Sequence, residues 1–412
     1  MERFTGLLGI VLILGVSFLM SNNRKAINYR TVGVGLLIQV GLAVFILKTE
    51  VGQATFQWLG DSINTLLGQA DKGAQFVFGS LVDRKLMSQA FGAGNDYIFF
   101  FKVVPTIIFV AVLVNMFYHL GVLQRVVSTM GKGVHWLMGV SGAEALSNVA
   151  STFVGQVEAQ IMIKPYLKNM TNSELMASMT GSFACIAGGV MAVYISLGVP
   201  AAYLLAASLM AAPGALVISK IMFPETEKSE TEGMVKMDII KTHANLVDAI
   251  AAGASEGLKV GLNVIAMLIG FIALIALVDL GLGHIGSWIN MPSLSMNLIL
   301  GKVFSVFAFA MGVPAQDVEV AGALMGKKMV VNEFVAYLDM VHLKATLDPK
   351  TIAITSFALC GFANFSSVAI QIGGIGELAP TRRSDLAKLG FKALIAGTLA
   401  SYLSATLAGL LL

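Results

Sequence analysis

Apolar runs alternate along this chain with short polar stretches, and the rhythm is that of membrane-crossing helices. Runs such as "FTGLLGIVLILGVSFLM", "TVGVGLLIQVGLAVFIL" and "LNVIAMLIGFIALIALV" carry no charge. They approach the roughly 20 residues that span a ~30 Å hydrocarbon core. The third of these lies within a span predicted at 249–280, and further spans are predicted at residues 99–121, at two segments joined by a short turn between about 172 and 223, and at 351–377 and 388–411. Residues 49–96, with patches such as "FQWLGDSINTLL", and residues 122–141 read as interfacial amphipathic helices. Two stretches fit neither class. Residues 143–170 are long enough to span but too polar to face lipid, and Gly155 interrupts them; residues 315–344 are similarly mixed. Counting these as partial crossings gives eight full spans and two partial ones.

The pattern repeats. "SFA" occurs at residues 182–184 and 356–358, each inside a glycine-interrupted apolar run. An acidic residue precedes each copy at nearly equal distance, 24 residues from Glu158 to Ser182 and 23 from Glu333 to Ser356. Each copy is followed by a helix-loosening stretch, "CIAGGV" or "LCGFANFSS". Glycine-interrupted segments at corresponding places in two halves point to the binding site of a secondary transporter. The expected organisation is residues 1–142 for N-terminal spans and part of a scaffold, 143–222 for a first hairpin with two helices, 223–243 for a hydrophilic linker, 244–312 for a scaffold span with an interfacial helix, and 313–412 for a second hairpin with two helices.

Composition sharpens this. Hydrophobic residues make up 56% of the chain and charged residues 12%, about half the charge of an average soluble domain. A net charge of +3 without a basic stripe gives no reason to expect a nucleic-acid partner. Cys185 and Cys360 lie in apolar runs, so neither a disulfide framework nor a metal pair is expected. Arg24, Lys25 and Arg30 follow the first run, and Arg382 and Arg383 precede the last. By the positive-inside rule both loops are cytoplasmic and both termini lie outside.

In such a chain a carboxylate is costly and marks a functional position by default. Glu158 and Glu333 occupy matching repeat positions, so both are candidate site residues. The bland readings are ion pairs with Lys164, or with Lys327 or Lys328. "IAGGV" at residues 186–190 and "CGFANFSS" at residues 360–367 would open their helices, which is tolerated at membrane depth only where protein or a watery cavity satisfies the backbone. Two short motifs are false friends. "GASEG" at residues 253–257 matches the hydrolase G-x-S-x-G pattern without the preceding strand, and "GALMGKKM" lacks the Ser or Thr of a phosphate loop.

Taken together, "GQVEA", "IAGGV", "PETEK", "NEFVAY", "CGFAN" and "LIAGT" resemble, in order and along nearly the whole chain, the concentrative nucleoside transporters. The resemblance implies an all-α polytopic fold with eight spans, two re-entrant hairpins, an inverted repeat and an elevator-type transport domain on a trimeric scaffold. It implies that Gln156, Val157 and Glu158 face a nucleobase with Val190 nearby. Glu333, Asn364 and Ser367 would bind the ribose hydroxyls, with Phe362 lining the same pocket. The family's sodium site would map to Ser151, Val154, Cys185 and Ile186. Here this chain departs from the pattern, with Ser151 in place of asparagine and Cys185 in place of serine. Val157 and Gln160 also replace the usual hydroxyl residue and proline. A thiol suits a hard cation poorly, which shifts the expected coupling ion from sodium toward a proton carried by Glu158 or Glu333. The expectation is a non-enzymatic, cation-coupled importer of nucleosides in the cytoplasmic membrane, working as a homotrimer without a cofactor. A carrier of the same fold for another polar solute, and an intramembrane enzyme with paired carboxylates, stay open as alternatives.

Overall fold

The computed structural model describes residues 2–92, 98–232 and 243–412, so the middle of the hydrophilic linker lies outside the described residues. Within them the chain is helical, with no β-strand. Six segments are long and apolar enough to cross a membrane: Tyr29–Lys48, Phe99–His119, Asn172–Leu197, Ala201–Met222, Leu246–Trp288 and Pro380–Leu411. Two shorter apolar helices, Thr5–Leu19 and Met296–Ala310, accompany them. The span expected at 249–280 is part of one helix of 43 residues, about 65 Å long at ~1.5 Å per residue. That is roughly twice the hydrocarbon thickness. The polar stretch before 99 forms the amphipathic helices Glu50–Leu67, Ala70–Phe78 and Arg84–Phe91.

The two halves follow one order. In the first, an amphipathic helix (Val122–Met138) leads into a hairpin, made of Gly142–Ser151, a turn at residues 152–157, and a return arm of two short helices, Glu158–Ile161 and Lys164–Leu167. A broken helix follows (Asn172–Ala184, then Gly188–Leu197), and a continuous one (Ala201–Met222) closes the half. In the second half the same places are taken by Met296–Ala310, a hairpin of Val318–Val330 and Glu333–Leu343, a broken helix (Pro349–Leu359, then Phe365–Leu378), and Arg383–Leu411. Both "SFA" copies sit in the last turn before a break.

Local chemistry sets these boundaries. Ser141 with Glu144, and Thr171 with Glu174, form capping boxes that start the first hairpin and the first broken helix. Asp348 caps the second broken helix just ahead of Pro349, whose missing N–H costs nothing at that position. Asn332 and Asn364 cap the helices that begin at Glu333 and Phe365.

The first break differs from expectation. Its unwound part is residues 185–187, and both Gly188 and Gly189 are helical. Gly188 is needed for close approach instead: its N–H donates to the Phe153 carbonyl at 3.1 Å, and a Cβ there would meet that oxygen at 3.0 Å. The second break spans residues 360–364 and turns on Gly361, at φ +131°. The two breaks cross. The Phe362 N–H donates to the Cys185 carbonyl at 3.3 Å, and a Cβ on Gly361 would meet the Phe183 and Ala184 carbonyl oxygens at 2.6 and 2.8 Å.

Around this crossing lie the most buried helices. The most apolar stretches of Ala201–Met222 and Pro380–Leu411 are 78% and 83% buried, against 6% for Leu246–Trp288. Hydroxyls inside the buried helices back-bond to their own carbonyls one turn earlier, as Thr180, Ser356, Thr398 and Thr406 do. The exposed 43-residue helix instead uses Gly253, Gly257 and Gly261 to pack closely on Val104, Ile108, Ala111 and Val112 of Phe99–His119. That is the role of "GASEG". On the basic loop, Arg382 reaches the carbonyls of Leu167, Lys168 and Met170, the Asn172 side chain and Asp385. It ties the return arm of the first hairpin to the start of the last helix.

Gly361→Ala should therefore strain the backbone and separate the two breaks, costing about 1–3 kcal/mol for the strained backbone alone. Gly373→Ala, where nothing lies within 4 Å of the new methyl, should be near neutral. Thermal unfolding of both variants in detergent checks this; equal melting temperatures would contradict the crossing as described.

Candidate functional site

The second hairpin and the second break supply one cluster. The Asn332 side chain accepts from the Val335 N–H at 3.0 Å, which sets Glu333 in the first turn of its helix, where the helix dipole favours a negative charge. The Glu333 carboxylate is buried. One oxygen accepts from the Tyr194 hydroxyl and the other from the Asn364 amide, both at 3.0 Å. Asn364 uses its other end as well: its Oδ1 accepts from the Ser367 N–H at 2.8 Å and the Ser366 hydroxyl at 2.7 Å. Tyr194 is held between Tyr337 and Phe334, with ring centroids 4.5 and 5.6 Å away. Lys328, also buried, donates to the Ala358 carbonyl at 2.8 Å and the Cys360 carbonyl at 3.5 Å. It thus caps the first half of the broken helix, where a cation is favoured. Lys327 pairs with Asp339 within the hairpin. Neither lysine makes an ion pair with Glu333, so the bland reading of that carboxylate is not what the structure shows.

The first hairpin brings Gln156 to the same place. Its Nε2 lies 3.5 Å from the Ser367 hydroxyl, and its Oε1 accepts from Gln371 Nε2 at 3.3 Å. Gln156, Ser367, Asn364 and Glu333 are thereby linked by one line of polar contacts. Each Glu333 oxygen has accepted one hydrogen bond and keeps capacity for another. The cluster can therefore receive the paired hydroxyls of a sugar, while an amide faces it from the other hairpin.

The other expected residues are placed differently. Glu158 is exposed, makes no hydrogen bond or ion pair among the described residues, and lays its carboxylate beside Gly155. It does not pair with Lys164. Val157 packs its methyls onto Gly374 of Phe365–Leu378. Val190 and Phe362 are half-buried beside the core. Phe365, outside that set, is exposed and stacks on Phe391, with centroids 6.4 Å apart and planes at 5°.

The four positions matched to a sodium site are all buried: Ser151, Val154, Cys185 and Ile186. Of their side-chain donors, the Cys185 thiol suits sodium poorly. The Ser151 hydroxyl already bonds the Ser147 carbonyl at 2.9 Å and lies 3.2 Å from the Ser182 hydroxyl. Cys185 offers a thiol, and its carbonyl accepts from Phe362. Ser151 belongs instead to a network centred on Gln160. The Gln160 Nε2 donates to Ser147 at 3.1 Å and Ser182 at 2.9 Å, while its Oε1 accepts from Ser178 at 2.6 Å. Ser182 in turn reaches the Gln156 carbonyl at 3.2 Å. No group of three or more His, Cys, Asp or Glu poised for a metal occurs among the described residues.

Tyr194, Gln371 and Lys328 were missed by sequence reasoning. Helical spacing held a signal for two of them. Gln371 follows Ser367 by one turn, and Tyr194 follows Val190 likewise. Lys328 was noted only as an ion-pair partner, because its capping role depends on the second break.

A family model described as Na+ dependent nucleoside transporter C-terminus matches residues 203–409. Its N-terminal counterpart matches residues 8–81, and a model described as nucleoside recognition matches residues 100–201. The nucleoside permease NupC of Helicobacter pylori is 38% identical, over 98% of this chain and 96% of its own. An uncharacterized transporter of Bacillus subtilis is 45% identical over the full length of both. Among solved structures, CNTnw in an inward-facing substrate-bound state superposes with a TM-score of 0.94 at 40% identity, covering 100% of this chain and 98% of that one.

Gln160→Ala should remove one buried hydrogen-bond partner from each of Ser147, Ser178 and Ser182, the first two keeping each other and Ser182 keeping the Gln156 carbonyl, at about 0.5–1.5 kcal/mol for each bond lost. A melting temperature several degrees lower in detergent is expected. An unchanged melt would show that the serines re-pair without the amide.

Proposed function

Since this chain belongs to the Na+ dependent nucleoside transporter family and is a membrane transporter rather than an enzyme, we propose that it imports nucleosides across the cytoplasmic membrane by cation-coupled alternating access. The observation that carries the reading is the Glu333 carboxylate, held by Tyr194 and Asn364 and facing the Gln156–Ser367 contact of the other hairpin. In this reading Glu333, Asn364 and Ser367 take the ribose hydroxyls. Gln156 and Glu158 meet the base, and Val157, Val190 and Phe362 shape the apolar wall around it. A carboxylate accepts from two vicinal hydroxyls, and a carboxamide matches the mixed donor and acceptor edge of a base.

The remaining architecture follows the resemblance. The two hairpins would be re-entrant, entering and leaving on one side of eight spans. Residues 143–222 and 313–412 would form the moving domain, residues 1–142 would supply N-terminal spans, interfacial helices and part of the trimeric scaffold, residues 244–312 a scaffold span and interfacial helix, and residues 223–243 a cytoplasmic linker. The exposed 43-residue helix supports a scaffold role, because an apolar surface of that length calls for lipid or another subunit. Both termini would lie on the periplasmic side. For the coupling ion, the Ser151 and Cys185 donors favour a proton over sodium, although the family is described as sodium-dependent. Glu158 and Glu333 are the carboxylates able to carry that proton.

The test is uptake of radiolabelled uridine into proteoliposomes, with sodium and proton gradients imposed separately. Accumulation driven by the proton gradient alone is expected. Accumulation that requires sodium would overturn the proton assignment and leave the nucleoside assignment standing. Glu333→Gln should weaken uridine by about 2–3 kcal/mol, roughly a hundredfold, since hydrogen bonds to a charged acceptor are lost. Folding and assembly should persist; normal uridine uptake by this variant would remove Glu333 from the ribose site.

A further inference from the structure

We infer that Gln371 fixes which end of the Gln156 carboxamide a nucleobase meets, and so makes the carrier favour oxo bases over amino bases. The inference rests on the nucleoside reading above. Asn364, Ser367 and Gln371 are spaced three and four residues apart and lie on one face of the helix Phe365–Leu378 and its cap. The Gln371 side chain is fully buried. Its Nε2 stands 3.5 Å from the Met179 carbonyl and 3.3 Å from Gln156 Oε1.

The orientation follows from the main chain. A backbone carbonyl can only accept, so the end of Gln371 facing Met179 is its NH2 group. That same group then donates to Gln156, whose oxygen end is thereby engaged. The NH2 end of Gln156 is left toward Ser367, 3.5 Å away, and toward the place where a base would lie. These contacts are long enough to shorten around a ligand. Both amides are thus set by one peptide group of the helix Asn172–Ala184, outside the site itself. Gln371 acts here as a positioning residue and touches the substrate only through Gln156.

A carboxamide presenting N–H meets the carbonyl oxygen of uracil or hypoxanthine as a donor to an acceptor. Against the exocyclic amine of cytosine or adenine it sets donor against donor. A site built to hydrogen-bond one group discriminates strongly against an analogue that cannot complete the pair. Gln371→Glu removes the N–H. Its carboxylate then attracts the NH2 end of Gln156 and turns the Gln156 oxygen toward the ligand, which reverses the preference. Gln371→Met keeps the bulk and removes both polar ends, so Gln156 is free to present either.

The experiment is competition for radiolabelled uridine uptake in proteoliposomes by unlabelled uridine, inosine, cytidine and adenosine. For the unaltered protein, uridine and inosine should compete about tenfold better than cytidine and adenosine. Gln371→Met should bring the four within about threefold, and Gln371→Glu should invert the order. An unchanged order in Gln371→Met, at whatever absolute rate, would overturn the assignment, because a merely structural role lowers uptake without reordering the bases. Equal competition by all four in the unaltered protein would overturn it too. No uptake of any nucleoside by the unaltered protein would overturn the functional reading and this inference together.

Discussion

Every part of the site depends on how two interrupted helices satisfy their backbones away from water. A break frees N–H and C=O groups, and in a membrane interior each must find a partner within the protein. Here the partners come from elsewhere in the fold. The Cys185 carbonyl receives Phe362 from the opposite break, and the Phe153 carbonyl of the first hairpin receives Gly188. The Ala358 and Cys360 carbonyls receive Lys328 from the second hairpin, and Cys360 also receives Ser401 from the last helix at 2.8 Å. The hairpins are therefore located by the breaks they satisfy. Gln156 lies three residues beyond the Phe153 anchor and Glu333 five beyond Lys328, and Ser367 with Asn364 links the two.

This constraint explains what could be read from the chain. Polarity is costly in an apolar sequence, so Glu158, Glu333, Gln156 and "FANFSS" carried information that the same residues in a soluble domain would not. The hairpins, both breaks and the matched halves were legible on that basis. Partner choice was not. Tyr194 looks like one more aromatic residue in an apolar run until the halves are folded together and its hydroxyl meets Glu333. Gln371 is legible as polar, but its role depends on a carbonyl 192 residues away. The glycines misled in the other direction. Gly188 and Gly189 were read as unwinding, whereas Gly188 permits a close approach and the helix runs through both. Gly361 alone at these two breaks takes the left-handed region that glycine favours.

A second consequence concerns the boundary between the buried helices and the rest. Tyr29–Lys48 meets the buried pair through small residues: a Cβ on Gly214 would collide with Gln39, and one on Gly35 with Val217 and Met138. Across the same boundary Gln39 donates to the Ser404 hydroxyl at 2.9 Å. Gly253, Gly257 and Gly261 join the two exposed long helices to each other, not to the buried pair. Small residues at these places let the backbones of Tyr29–Lys48 and the buried pair approach closely.

The two acidic residues that began as equivalents by position end as opposites by environment. Glu333 is buried, with a neutral donor on each oxygen and a helix start behind it, so its two oxygens are held in place. Glu158 has no such donor among the described residues and lies exposed at a hairpin turn. Matching repeat positions supply two carboxylates, while the surrounding residues divide their work. The held one is suited to bind hydroxyls, and the free one can turn toward whatever the hairpin closes on. Under the proposed function both hairpins take part in recognition, Glu333 for the ribose and Gln156 with Glu158 for the base, and the tips must close together for either to count.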